Sequence, residues 1–289
     1  MRKDLKNINF DFNSDFNSYL AGLWEGDGHI QIQVVAEQNS ASLKKYNPRF
    51  CITTHEKNKP WLMKIKSQLN NYGFIRFKKK ENALVLTISN IEGLLLIINK
   101  LNGNLKTPKI DKFYGLIDWV NNNKNLSIEK LPIDYNIKDN SWLAGFIEAD
   151  GSFYIRCSEP KLSSKRKKAR IAVRLNISQR MLSSSGKSYE LILKEIANQF
   201  NGSLTIVTKK NNNHYYCLSF CSQKSTLKIK NYLDRHCLSS VKYLDYLNWV
   251  DALNIILNKN HLEPTGINAI KYLKSCMNNS RSYFNWNHL

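Results

Sequence analysis

Apolar and polar positions recur along this chain with two different periods, and together they mark out two similar halves. Over "PWLMKIKSQLNNYG" the residues Trp61, Leu62, Ile65 and Leu69 share one face of a predicted helix that Pro60 opens and Gly73 stops. Over "SYELILKEIANQFNG" the positions Leu191, Glu195 and Asn198 keep helical spacing, with Ile192 and Ile196 on the buried side and Gly202 as the stop. Elsewhere the period is two. Ile171, Val173, Leu175 and Ile177 oppose Arg170, Ala172, Arg174 and Asn176. The same alternation sets Ile30, Ile32 and Val34 against Gln31 and Gln33, and Phe153, Ile155 and Cys157 against Ser152, Tyr154, Arg156 and Ser158. One side of each strand belongs to a core; the other is polar.

The elements repeat in order. "SYLAGLWEGDGHIQIQVV" and "SWLAGFIEADGSFYIRCS" align without a gap, Ala21 on Ala144. In each half a strand, a helix, a basic hairpin and a Trp-containing helix follow, the last being "FYGLIDWVN" and "YLDYLNWVD". The predicted fold is therefore α+β, two αββαββα repeats with antiparallel sheets. The first repeat spans 1–121 and the second 140–289, which includes a C-terminal helical tail. Residues 122–139, rich in Asn and poor in periodicity, read as a linker.

Charge adds a partner class. The chain has 289 residues, enough for one large domain or two ordinary ones, and 43 Lys plus Arg against 23 Asp plus Glu give a formal charge of +20. Nucleic acid is the expected polyanion. The excess falls in strands and loop tips, including "LKKYNPR", "KKKEN", "KLSSKRKKAR" and "TKKNNN". Gln, Asn and Arg on a polar sheet face match base edges in the major groove, whereas Lys and Arg grip phosphate. The predicted DNA contacts are Gln31, Gln33, Arg49, Arg76, Lys78, Lys80, Tyr154, Arg156, Arg170, Arg174, Asn176 and Lys209.

Other classes recede. The 6 cysteines form no CxxC pair or regular framework, and His214, Cys217, Cys221, His236 and Cys237 lack metal-ligand spacing, so a reducing compartment fits. No apolar run approaches the ~20 residues of a membrane span. The start lacks a signal-peptide core, and Asp4, Asp11 and Asp15 oppose a mitochondrial transit peptide. Abundant Asn, Lys, Ile and Tyr suggest an AT-rich gene, such as one in an organelle.

Two acids sit at the junctions from helix to strand. Gly22 and Gly26 lie four apart on one helical face, as do Gly145 and Ala149, so the two helices can dock closely about a pseudo-twofold axis. Asp27 and Asp150 then lie side by side at adjacent helix C-termini, where like charge and the helix dipoles both oppose ionisation. A hard divalent cation resolves the conflict. Mg²⁺ is often held by one or two carboxylates plus substrate phosphates, and metals so placed can activate water for phosphodiester hydrolysis.

"YLAGLWEGDG" and "WLAGFIEADG" resemble the paired motifs of single-chain LAGLIDADG homing endonucleases, and the resemblance covers about residues 15 to 260. It implies a DNA-binding saddle over a long, nearly asymmetric site, cut on both strands across the minor groove to leave 3′ overhangs. It also implies a monomer with one cutting position per strand and two or three divalent ions, Mn²⁺ replacing Mg²⁺ and Ca²⁺ binding without turnover. Asp27 and Asp150 match the metal-binding acids, with Gly26 and Ala149 beside them in the metal site. Glu25 and Glu148 match a supporting position. Lys242 matches a lysine near the scissile phosphate; its first-half partner is Lys109, from the "TPK" context, or Lys112, from its offset to the Trp helix. Gln179 matches a water-positioning residue, whereas the first half has Thr54 and His55 in "CITTHE" and departs from the pattern. An intron RNA maturase and a non-cutting DNA-binding regulator are the alternative functions. The expected location is organellar, in a mitochondrion that also encodes the protein, or otherwise intracellular.

Overall fold

The computed structural model describes residues 15–32, 47–158, 170–208 and 212–289. The first half begins with α1 (Phe16–Asp27), β1 (Gly28–Gln31) and β2 (Arg49–His55), continues through α2 (Lys59–Gln68), β3 (Phe74–Lys78) and β4 (Ala83–Ile88), and closes with α3 (Ile91–Leu101) and α4 (Ile110–Lys124). The second half repeats the order as α5 (Trp142–Asp150), β5 (Gly151–Ser158), β6 (Arg170–Arg180), α6 (Glu190–Phe200), β7 (Ser203–Thr208), β8 (His214–Phe220), α7 (Gln223–Leu233) and α8 (Val241–Leu257). A tail helix, α9 (Pro264–Ser275), follows. The antiparallel sheets have matching orders, β1-β2-β4-β3 and β5-β6-β8-β7. Their registers match as well: Gly28 pairs with Ile52 as Gly151 pairs with Ile177.

Three details of the sequence-based expectation are corrected. Each half carries a second helix after its sheet, α3 or α7, so the repeat is αββαββαα. The apolar face of α3, Leu94, Ile97, Ile98 and Leu101, is buried, whereas α7 is mostly polar and starts with the Ser222 hydroxyl accepting from the Ser225 N–H. The residue that turns the chain after α6 is Asn201, left-handed at φ 56°, and Gly202 only follows it. Asparagine tolerates that conformation because its short polar side chain bonds locally. After α2, Asn70 and Asn71 are left-handed ahead of Gly73, which is at φ 81°. Finally, α4 runs to Lys124, into the segment expected as linker.

The axis of the molecule is the α1–α5 pair. A Cβ built on Gly22 would lie 1.9 Å from the Trp142 carbonyl oxygen, and one on Gly145 would lie 1.9 Å from that of Tyr19. The two backbones therefore touch, which only glycine permits. Below them a continuous core includes Trp24, Phe50 and Phe113 in the first half and Phe153, Trp249 and Phe220 in the second.

Candidate active site

Close docking sets what the ends of α1 and α5 can do. A Cβ on Gly26 would lie 2.1 Å from the Ala149 Cβ and 3.0 Å from Asp150 Oδ2, so the two motif ends abut and bring the acids together. Each acid opens onto its own cavity. The Asp150 cavity, about 500 Å³, is also lined by Lys109, Lys112, Gln179 and His29. The Asp27 cavity, about 420 Å³, is lined by Lys242, Thr54, His55 and Asn58. Each cavity thus pairs an acid from one half with a lysine from the other.

Burial raises both carboxyl pKa values. For Asp150, burial and then the charge of Asp27 outweigh Lys242 and Lys109 and push the value up to about 6. Asp27 is raised by burial against the same two lysines. Gln179 Nε2 donates to Asp150 Oδ2 at 2.5 Å. The lysines cover the helix ends: Lys109 Nζ donates to the Trp24, Glu25 and Gly26 carbonyls at 3.0, 3.0 and 3.3 Å, and Lys242 Nζ to those of Ile147 and Ala149 at 2.9 and 3.2 Å. A cation at a helix C-terminus complements its dipole. Burial brings Lys109 down to about 8 despite the nearby acids, and lowers Lys242 as well. Of the two first-half candidates, Lys109 is the one seated on α1; Lys112 is exposed on the cavity margin.

The supporting acids are wired across the halves. Glu25, 1% exposed, accepts from the Lys106 and Thr107 N–H groups, the Thr107 hydroxyl and, at 2.6 Å, Trp142 Nε1 of the second half. Glu148 accepts from the Ser239 and Ser240 N–H groups, the Ser240 hydroxyl and the Tyr19 hydroxyl of the first half. These contacts hold the segments just before α4 and α8, from which Lys109 and Lys242 project. Sequence reasoning missed Tyr19, Trp142, Thr107 and Ser240. Two signals were available: Tyr19 and Trp142 fill the same place in the two motifs, and Thr107 and Ser240 each stand two residues before the lysine. Glu25→Ala is expected to cost about 3 kcal/mol, because it strands several buried donors and the 2.6 Å indole contact. A urea titration that gives a loss below about 1 kcal/mol would contradict this wiring.

The expected DNA contacts lie on the sheet faces turned away from the helices. In the first sheet Gln31 pairs with Arg49 and Arg76 with Val85, while Lys78 ends β3. Lys80 is exposed in the turn between β3 and β4. In the second sheet Tyr154 pairs with Arg174, Ser152 with Asn176, Arg156 with Ala172 and Ser158 with Arg170. Asn176 Oδ1 accepts from the Ser219 hydroxyl at 2.7 Å. Gln33 and Lys209, with most of two of the basic loops and half of a third, lie outside the described residues. The outer face is not uniformly polar, since Phe74, 55% exposed, pairs with Thr87 there.

The pair of carboxylates suits a hard divalent ion, because both offer oxygen donors and a cation would relieve the repulsion by which Asp27 raises Asp150. Among the described residues no group of three or more His, Cys, Asp and Glu could complete a cage, so backbone carbonyls and substrate phosphates would supply the remaining ligands. No helix among the described residues is long and apolar enough to cross a membrane.

Two repeats, two matching sheets and a paired acid at the helix junction define a tandem nuclease scaffold. The chain belongs to the LAGLIDADG endonuclease family, whose model matches residues 20–120 and again 143–253. It is 29% identical over 320 residues to the intron-encoded DNA endonuclease aI3 of Saccharomyces cerevisiae, covering 98% of this chain and 75% of that protein. It is also 29% identical over 284 residues to an uncharacterised cox1 intron-2 protein of Schizosaccharomyces pombe, covering 93% and 74%. The fold matches the I-LtrWI LAGLIDADG homing endonuclease in its complex with target DNA at a TM-score of 0.73, with 20% identity over 92% of this chain and 98% of that one.

Proposed function

We propose that this chain is a site-specific homing endonuclease that hydrolyses one phosphodiester on each strand of a long, nearly asymmetric DNA site. The observation that carries this reading is that Asp27 and Asp150 end the abutting helices α1 and α5, with one recessed lysine on each cavity. Such a pair opposes its own burial and has a rationale only around cations. Asp27 and Asp150, joined by the Gly26 and Ala149 carbonyls, would hold Mg²⁺. When bound, it would supply water activation and stabilisation of the leaving oxygen. The chain's own groups do the remainder. Gln179 orients the Asp150 carboxylate through its amide. Lys109 and Lys242 place positive charge beside the scissile phosphates, and the outer faces of both sheets track the duplex. Both halves lie in one polypeptide, so a monomer suffices. The relationship to a cox1 intron protein, with the Asn- and Lys-rich composition, supports a mitochondrial origin.

A randomised duplex library incubated with Mg²⁺ tests this reading. Double-strand cuts at one long site, absent with Ca²⁺ although binding persists, are expected. Tight DNA binding with no cut in Mg²⁺ or Mn²⁺ would overturn it.

A further inference from the structure

The two cavities are not built alike. In the second half, Gln179 stands two residues beyond Ile177, the partner of Gly151, and its amide grips Asp150 directly. The same register in the first half places Thr54 two residues beyond Ile52, the partner of Gly28. Among the described residues none donates a hydrogen bond to the Asp27 carboxylate. A carboxamide is nevertheless present in that cavity. It belongs to Asn58, in the residue just before α2. Its Nδ2 donates to Thr54 Oγ1 at 2.8 Å, and its Oδ1 accepts from the Val241 N–H at 3.2 Å.

That second contact crosses between the halves. Val241 is the first residue of α8, and the next residue is Lys242, the lysine of the Asp27 cavity. An asparagine in this location would ordinarily cap its own helix, yet its side chain makes no capping bond to α2 and spans two other elements. Asn58 therefore ties the start of α8, which Glu148 and Ser240 also hold, to the strand that carries Thr54. The Asp150 cavity holds its acid directly, whereas the Asp27 cavity adds a contact to the helix that carries its lysine.

We infer that Asn58 is the positioning residue of the Asp27 half-site, acting through Thr54 and the α8 N-terminus, and that the two half-sites cut their strands at unequal rates, the Asp150 half-site first. This rests on the endonuclease reading. A carboxylate fixed by a direct donor needs no reorientation before reaction, while one without such a donor must be ordered in each encounter.

The test is a duplex carrying the cognate site, labelled separately on each strand and followed in Mg²⁺. Failure of the intact protein to cut either strand would overturn the endonuclease reading and this proposal together. Equal rates on the two strands would overturn this proposal alone. The expected result is accumulation of a nicked duplex, with Gln179→Ala slowing the strand that is cut first. Asn58→Ala is expected to slow only the other strand, by about ten- to a hundredfold, with the thermal midpoint lowered modestly by the loss of two hydrogen bonds and DNA affinity in Ca²⁺ unchanged. A loss of stability without a strand bias would make Asn58 a structural cross-link and sink the assignment.

Discussion

Asp150→Asn is expected to abolish double-strand cleavage while making the metal-free protein more stable. On the proposed reading, loss of one carboxylate would remove a metal ligand, and charge stabilisation of several kcal/mol at the transition state corresponds to roughly 10³-fold in rate or more. The stability change has the opposite sign. Burial, reinforced by Asp27, pushes the Asp150 carboxyl up to about 6 even with two lysines nearby, so ionising it in the folded state is net unfavourable. Each pKa unit is worth about 1.4 kcal/mol, which puts the gain from a neutral isostere at about 3 kcal/mol at neutral pH. Asparagine also keeps an oxygen to accept from Gln179. The sign fixes the pH window. A carboxyl whose folded value lies above its unfolded one is protonated in both states below about pH 4, so it then carries no penalty. The penalty grows as pH rises and is complete above about 6. Denaturant titrations in EDTA should therefore show the Asn variant ahead at pH 7.5 and level with the parent near pH 4. Added Mg²⁺ should raise the midpoint of the parent more than that of the variant. A variant less stable than the parent at pH 7.5 without metal would refute the electrostatic account of the site.

Gly22→Ala should come close to unfolding the protein. The added methyl would sit 1.9 Å from the Trp142 carbonyl oxygen and 2.8 Å from the Phe146 N–H, both backbone atoms that cannot rotate aside. The helices would have to separate, disturbing the packing that joins the halves. The intrinsic gain in helix propensity is only about 1 kcal/mol, whereas overpacking against backbone costs about 3 kcal/mol or more, a large part of the ~5–15 kcal/mol that domains possess. Gly145→Ala meets the Tyr19 carbonyl at the same 1.9 Å and should behave alike. Gly115→Ala is the control: in α4 its methyl would make only a 3.4 Å contact with Ile32, so a small stabilisation is expected. Soluble yield and thermal midpoint should fall steeply for the first two variants and hold for the third. Unchanged midpoints at positions 22 and 145 would mean that the helix pair is not the axis of the fold.

Both glycines and both acids were legible because duplication displays each twice. One Gly-Asp junction is an ordinary helix end, whereas two with identical spacing impose a common geometry. Strand alternation placed the polar sheet faces for a similar reason, since period two leaves no choice of side. The second helix of each repeat was less legible: α3 reads as an apolar run, and α7, "QKSTLKIKNYL", buries little beyond Ile229, Tyr232 and Leu233 among its large side chains. Asn58 left no local trace at all. Its role depends on Val241, 183 residues away, and such a contact is visible only after the chain has folded.

The reciprocal placement of Trp142 on Glu25 and Tyr19 on Glu148 has a consequence for dissecting or recombining the molecule. A fragment containing only the first half would retain Asp27 yet lack Lys242, and would leave the Glu25 carboxylate without its indole. It would therefore be no miniature nickase, although the two fragments mixed together could rebuild both catalytic centres. A hybrid that grafts this half onto a foreign partner would need an aromatic donor at the place of Trp142 and a lysine at the start of the partner's Trp helix. Choosing the partner by its DNA-reading surface alone would leave the graft inert.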